Sequence, residues 1–328
     1  MTKFLGIALV LTMVFNLNAQ SNIRFSQLNF AQGINNPAAL ALDGRIMVDM
    51  MARNQWFGVD GAPWTFALNG QYELMSDMAV GFNVYHDRIG VTETTSFAGQ
   101  YAYRALFENA RALAFGVGIG ADNYILDYAS TTTTQAFDPA FAKSYYRLMF
   151  NSSVGAYYYS PKFYLGVSMP SMFNPGFNSI TNKGKLVFDP HYYLSMGFYL
   201  GTKRYTFNPN IQIKAVPNAP LAGDIILRNT FSGRFSFVLG YRTENSLIAG
   251  FDMLITPMMR AGYSFNYDVG KLARVKGVSN EIYIGLAFPY RNDRYDFGKR
   301  RYISNKGGFR TDYKRRTNRY NKRRVIHR

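Results

Sequence analysis

Between residues 45 and 289 the chain alternates polar and apolar side chains with a period of two, in segments separated by turn residues. This pattern constrains the fold more than any other feature. A strand points successive side chains to opposite faces, whereas a helix needs a period of 3.6. Trp64, Phe66, Leu68, Tyr72 and Leu74 fall on one face of such a segment; Thr65, Asn69, Gln71 and Glu73 fall on the other. Met78, Val80, Phe82 and Val84 oppose Asn83 and Tyr85, and Met259, Ala261, Tyr263, Phe265 and Tyr267 oppose Arg260, Ser264, Asn266 and Asp268. At the end of the series Ile282, Ile284, Leu286 and Phe288 oppose Glu281 and Tyr283. About fourteen strands are expected on this pattern. They start near Arg45, Pro63, Met78, Glu93, Arg111, Ser144, Pro161, Pro190, Arg204, Gly223, Gly233, Ser246, Pro257 and Asn280. Most run about nine residues or more, enough to cross a bilayer when tilted.

The connections alternate in length. Short turns are expected at Met75–Asp77, Glu108–Ala110, Ser160-Pro161, Thr202-Lys203, Ser232-Gly233 and Thr256-Pro257. Longer loops are expected at Phe57–Ala62, Asp87–Thr92, Asp127–Lys143, Pro170–Asp189, Pro217–Ala222 and Val269–Ser279, and Thr243–Asn245 is short where the alternation calls for a long one. An up-and-down barrel with tight turns at one end and long loops at the other produces this rhythm. The two faces agree. The apolar face is almost free of charge, while the other carries Asp49, Arg53, Glu73, Asp122, Arg147, Lys214, Arg228, Arg242, Asp252, Arg260 and Glu281. A charge on a lipid face would cost about 2–4 kcal/mol at mid-membrane, so the charged face is assigned to the lumen. Aromatic residues make up 16% of the chain. A soluble β-sandwich would have to hide them, whereas a membrane barrel uses them in girdles at both interfaces.

The two ends differ from this body. An apolar run from Phe4 to Leu17 follows Lys3, and Ala19 supplies a small residue, so residues 1–19 read as a signal peptide. Residues 20–44 form an N-terminal segment that could plug the lumen, residues 45–289 the barrel, and residues 290–328 a basic extension expected to be disordered. That extension holds 15 Lys and Arg against Asp293, Asp296 and Asp312, a balance of +12 out of a formal +17 for the chain. Its arginine pairs Arg300-Arg301, Arg315-Arg316 and Arg323-Arg324 are candidate docking residues for an acidic periplasmic partner. Interleaved arginine and tyrosine also suit nucleic acid, a poor match for an exported chain.

Candidate chemistry is sparse. The chain has no cysteine, which removes thiol catalysis, disulfides and Cys-based zinc sites. Gly116, Gly118 and Gly120 share one strand face and no helix pattern follows them, so a phosphate-binding loop fails and small residues in a crowded lumen fit better. His86, His191 and His327 lack ligand spacing, and no nucleophile–base arrangement is present, so neither metal, cofactor nor enzyme activity is expected. Thr131–Thr134 reads as a solvated loop tip.

A series of short elements opens the chain: Phe25-Ser26-Gln27, then Asn36-Pro37-Ala38, then Arg53-Asn54-Gln55-Trp56, then Gly61-Ala62-Pro63. In this order and spacing they resemble the PorP/SprF family of type IX secretion system membrane proteins of the Bacteroidetes, which typically opens with F-S-Q, N-P-A, R-N-Q-W and G-A-P. The basic tail is outside that pattern. Physically, Pro37 fixes φ at the start of the barrel. Arg53 and Gln55 would face the lumen, Trp56 could anchor at the outer interface, and Gly61-Ala62-Pro63 marks a turn. The resemblance implies an outer-membrane barrel, in contact with outer-membrane lipid and with periplasmic components of the secretion and gliding machinery, needed for secretion or surface attachment of an adhesin. An even strand number puts both termini in the periplasm. The rival reading is a fatty-acid-transporter-like barrel, which also has an N-P-A in a plugging segment. An apolar ligand pocket would favour that rival, and a charged, filled lumen would favour a scaffold.

Overall fold

The computed structural model describes residues 25–27, 31–40, 46–75, 77–128, 144–172, 177–178, 185–186, 189–202, 204–217, 219–243, 245–269 and 278–288. It is a closed antiparallel β-barrel of 14 strands. The first half comprises β1 (Ile46–Asn54), β2 (Trp64–Met75), β3 (Met78–Ile89), β4 (Thr92–Phe107), β5 (Arg111–Leu126), β6 (Tyr145–Tyr159) and β7 (Phe163–Ser171). The second comprises β8 (His191–Phe198, resumed after Tyr199 as Leu200–Gly201), β9 (Tyr205–Ala215), β10 (Ala222–Phe231), β11 (Phe235–Arg242), β12 (Ser246–Thr256), β13 (Met259–Asp268) and β14 (Val278–Phe288). Each strand pairs with its sequence neighbours, and β1 closes the ring on β14 from Ile46↔Phe288 to Asn54↔Asn280. A ring leaves no sheet edge, which satisfies the backbone inside lipid.

The strand starts match the alternation in the sequence, including the segments between 204 and 256. One connection differs. The expected long loop at Asp87–Thr92 is a tight turn, because β3 runs to Ile89 and β4 begins at Thr92. Gly90 supplies the left-handed conformation (φ 58°) that a two-residue turn requires. Of the longer loops, residues 129–143 lie outside the described residues, and so does Thr131–Thr134.

The faces separate cleanly. Inward positions are buried and polar: Asp49, Thr65, Asn69, Asp252, Arg260 and Ser264 are all at most 2% exposed. Outward positions are large and apolar, among them Phe97, Ile119, Leu148, Phe150, Leu239 and Ile282. At the short-turn end outward aromatics touch in series, Tyr158 with Phe163, Phe163 with Phe198, Tyr205 with Phe231 and Phe231 with Phe237. That is the aromatic girdle of a membrane interface. Trp64 stands outward at the other end, stacked on Phe66.

Candidate functional site

The candidate site of this barrel is its filled lumen. Residues 25–27 and 31–40 lie inside, attached to opposite walls. Ser26 bonds to β13 and β14, while Asn36 bonds to β6 and β7. In a ring of 14, β6 and β13 stand seven strands apart, so the segment crosses the full width.

Asn36-Pro37-Ala38 builds one anchor. Asn36 is extended and caps a 3-10 turn, Pro37–Ala39, its Oδ1 accepting from the Ala38 N–H at 2.9 Å. Proline fits the first position of such a turn, where no N–H is needed. The other half of the same side chain is used against the wall, Nδ2 donating to Ala156 O at 3.2 Å and Val167 O at 3.3 Å. Those two residues are register partners, so one amide reads a fixed point of the β6–β7 ladder. The turn lies on bare backbone: a Cβ at Gly116 would stand 2.2 Å from Ala38 N, and one at Gly155 2.1 Å from Asn36 Oδ1. Gly116 and Gly155 are themselves paired across β5 and β6. Gly116 therefore belongs to a docking surface for the turn. Gly118 and Gly120 are packed instead against Ser153 Oγ and Phe97 O of the wall.

The crossing between the anchors is also tied. Gly33 O accepts from Gln100 Nε2 at 3.0 Å and from Asn83 Nδ2 at 2.9 Å, and the Tyr157 hydroxyl donates to Gln32. Leu40 packs on Ala79 and Ala102.

Phe25-Ser26-Gln27 builds the second anchor, centred on Glu281. The Ser26 N–H donates to Glu281 Oε2 at 2.6 Å and its hydroxyl to Oε1 at 3.0 Å. Asn266 Nδ2 (2.7 Å) and Ser264 Oγ (3.2 Å) donate to the same carboxylate, and Arg53 Nε lies 3.5 Å from Oε1. Phe25 is buried with Ala31, Met51, Ala67 and Tyr283, and Gln27 Nε2 reaches Phe251 O at 3.5 Å. Thus Phe25-Ser26-Gln27 and Arg53 meet on one acid of the last strand. Charge-assisted bonds of this kind are about twice as strong as neutral ones.

Asn54 ends β1, and the rest of the series shapes the loop above it. Gln55 N–H donates to Pro63 O at 2.9 Å, which closes the loop, and Phe57 N–H donates to Val278 O at 2.8 Å, which ties it to β14. Gly61 has φ 72°; its carbonyl accepts from Gly90 N–H at 3.2 Å, and Ala62 N–H bonds back to Val59 O. Strand parity does not extend to Trp56. Its φ of 51° breaks the alternation, leaving it half-buried, with its N–H 3.4 Å from Ser279 Oγ. The exposed tryptophan at that end is Trp64.

Several of the remaining inward charges pair with one another. Asp252 bridges Arg228 and Arg260, Arg242 makes a two-pronged contact with Asp224 at 2.9 and 3.1 Å, and Arg104 lies 3.8 Å from Glu73. Asp49 accepts from the Tyr283 hydroxyl at 2.8 Å. Asp122 accepts from Ser96 and Asn151, so it is a lumen residue of β5. Arg104 and Asp224 were missed on the sequence, although each shares inward parity with its neighbours. Arg147 is a correction of the opposite kind: it shares the parity of buried Met149 but is exposed near the start of β6. Lys214 is buried. Arg300, Arg301, Arg315, Arg316, Arg323 and Arg324 lie outside the described residues.

A cavity of about 330 Å³ sits on the long-loop side of the crossing segment. Asn35 and Pro37 contribute to it from the segment, Asn83, Tyr85, Asn151 and His191 from the wall. Most of its lining residues have polar side chains, but Ile34, Pro37, Val84, Ile89 and Pro170 also line it, and more of its surface is apolar than polar.

A closed ring with an apolar belt, aromatic girdles and a charged interior defines an outer-membrane β-barrel protein. The family model described as type IX secretion system membrane protein PorP/SprF matches residues 17–286. The chain belongs to that family, and so is an outer-membrane component of type IX secretion. Among solved structures, the monoaromatic hydrocarbon channel CymD superposes with a TM-score of 0.51 at 12% identity, covering 84% of this chain and 96% of that one. A Pseudomonas aeruginosa FadL homologue gives 0.45 at 10% identity, covering 77% and 93%, and Acinetobacter baumannii Omp33 gives 0.42 at 10%, covering 75% and 99%. At such identities the likeness is one of fold alone. No curated protein matches the chain.

Proposed function

We propose that this protein is a non-enzymatic scaffold of the secretion apparatus that supports secretion or surface attachment of a partner adhesin. The observation that carries this reading is the lumen, crossed by a segment clamped at both walls and lined by paired charges. Such an interior suits a rigid platform better than a route for a hydrophobic molecule, which would need an apolar pocket. The crossing segment and the paired charges around it argue against the transporter-like alternative. Both ends of the barrel, Ile46 and Phe288, lie together at the short-turn end. In this reading that end faces the periplasm, and the basic extension after Phe288 meets the periplasmic components through Arg300-Arg301, Arg315-Arg316 and Arg323-Arg324.

Copurification after mild detergent extraction tests the reading. The expected result is recovery of secretion components with the full chain, and loss of a surface adhesin when the chain is deleted from its host. Normal display of every surface adhesin in the deletion strain would refute it. Orientation has its own test: an epitope at Arg328 should resist protease added to intact cells, and its removal from outside would overturn the periplasmic placement. Deleting 291–328 should leave the barrel folded and weaken assembly. Unchanged secretion would leave the extension without a role.

A further inference from the structure

The turns at the short-turn end carry a row of cations. Arg111 opens β5, Lys162 precedes β7, Arg204 precedes β9 and Arg234 precedes β11. All four are exposed. Their turns follow one another around the ring, from β4–β5 to β10–β11, and hold one acid, Glu108. Arg111 Nε donates to the Glu108 carbonyl at 3.2 Å. Among the described residues, no carboxylate pairs with any of the four cations.

Exposed charge is ordinary on a solvated turn, but here each cation adjoins an aromatic side chain of the outer face. Phe163 follows Lys162, Tyr205 follows Arg204, Phe235 follows Arg234, and Phe107 is the register partner of Arg111. The contacts of Phe163 with Tyr158 and Phe198, and of Phe231 with Tyr205 and Phe237, run through the same arc. Aromatic belts of this kind sit at the headgroup level of a bilayer. One residue further toward the turn is a step of about 3 Å along the strand. Long basic side chains lay their stems on apolar surface and hold the charge in the polar layer. The four charged groups are thereby delivered to the depth of the lipid phosphates.

Their spacing makes them act together. Neighbouring turns stand two strands apart, about 10 Å at the usual ladder spacing and somewhat more for tilted strands. That is comparable with the Debye length of about 10 Å at 0.1 M salt, so the fields of adjacent cations overlap at the lipid surface. A zwitterionic headgroup offers this field no net charge, whereas an anionic one does.

We propose that the arc from Arg111 to Arg234 is a phosphate-binding belt that gathers anionic phospholipid in the leaflet at the short-turn end. It goes beyond the secretion reading and needs neither a partner adhesin nor the basic extension.

The test uses the full chain, which has no cysteine of its own, so Phe163→Cys places a single fluorophore within the arc. The labelled chain is held in phosphatidylcholine nanodiscs containing a minor share of acyl-brominated lipid, either phosphatidylglycerol or phosphatidylcholine, and quenching reads the lipid beside the label. Brominated phosphatidylglycerol is expected to be enriched about 3- to 5-fold over brominated phosphatidylcholine. Arg111→Gln, Lys162→Gln, Arg204→Gln and Arg234→Gln together should abolish the enrichment at unchanged heat-modifiable gel mobility. The set Arg111→Lys, Arg204→Lys and Arg234→Lys, which keeps every charge, should retain it. If the glutamine set does not fold, Lys162→Gln with Arg204→Gln, the pair flanking β7 and β8, carries the same expectation at the label. Equal quenching by the two lipids in the unmutated arc overturns the proposal. So does enrichment that survives the glutamine set, since the extension at 290–328, still present with its balance of +12, would then be what gathers the lipid. Loss of enrichment in the lysine set overturns it too, because charge would not be the determinant.

Discussion

Gly116→Ala should loosen the crossing segment, and the structure supplies the size of the effect. An added Cβ would stand 2.2 Å from Ala38 N, 2.3 Å from Pro37 C and 2.5 Å from Pro37 O. All three are backbone atoms of a 3-10 turn, so no side chain can swing away, and the turn must retreat by about 1 Å to restore ordinary contact. Its two wall bonds already measure 3.2 and 3.3 Å, and such a retreat takes both out of hydrogen-bonding range. Overpacking costs about 1–3 kcal/mol and each lost bond about 0.5–1.5 kcal/mol. Docking of the N-P-A turn should weaken by about 2–6 kcal/mol, roughly 30- to 20,000-fold in the docked equilibrium. Gly99→Ala is the control, since a Cβ there meets nothing nearer than Ile119 O at 4.0 Å. Planar-bilayer conductance reads the result: Gly116→Ala should open far more often than wild type or Gly99→Ala. If the two variants conduct alike while folding alike, the turn is not what occupies the lumen.

Three further outcomes follow from the buried pairs. Glu281→Gln leaves Arg53 beside a neutral amide and weakens both Ser26 bonds; it should cost about 3–5 kcal/mol in urea unfolding, and Arg53→Met in the same chain should recover part of the loss. Asp252→Asn strips the shared partner from Arg228 and Arg260 and should cost at least as much, read as a lower temperature for the heat-induced shift in gel mobility. Tyr283→Phe deletes only the hydroxyl bonded to Asp49 and should cost about 1–3 kcal/mol, so a loss as large as that of Asp252→Asn would contradict the ranking.

The barrel was legible in the sequence because its determinant is local. A lipid outside and a polar inside impose period two on every strand, and the alternation from Trp64 to Leu74 carries that with no knowledge of its neighbours. The turn at Gly90 was misjudged for a physical reason. Asp87, Arg88 and Glu93 look like a solvated loop, but β3 and β4 continue past the apolar band, where strands take charged residues on both faces. Trp56 was misjudged because parity holds only while φ stays extended, and a left-handed residue resets it.

The interior was legible residue by residue but not as pairs. Parity alone assigns Arg53 and Glu281 to the lumen. That they meet depends on β1 closing against β14, and ring closure in a given register is a property of the whole sheet. The same holds for the two opening motifs. Phe25-Ser26-Gln27 carries no charge, so nothing local marks it as the partner of a buried acid; only the closed ring brings Ser26 and Arg53 onto one carboxylate. The motifs therefore make physical sense as a set. Arg53 neutralises the acid within the wall, and Ser26 uses the lone pairs that Asn266 and Ser264 leave. Asn36 then fixes the far end at a single point of the β6–β7 ladder. A change at either anchor should be felt at the other through the segment that spans them, so single substitutions at Ser26 and Asn36 should each release much of the crossing. The double variant should lose less than the sum of the two. Strict additivity of Ser26→Ala and Asn36→Ala in segment release would mean that the two ends dock independently, and that the crossing is two attachments and not one brace.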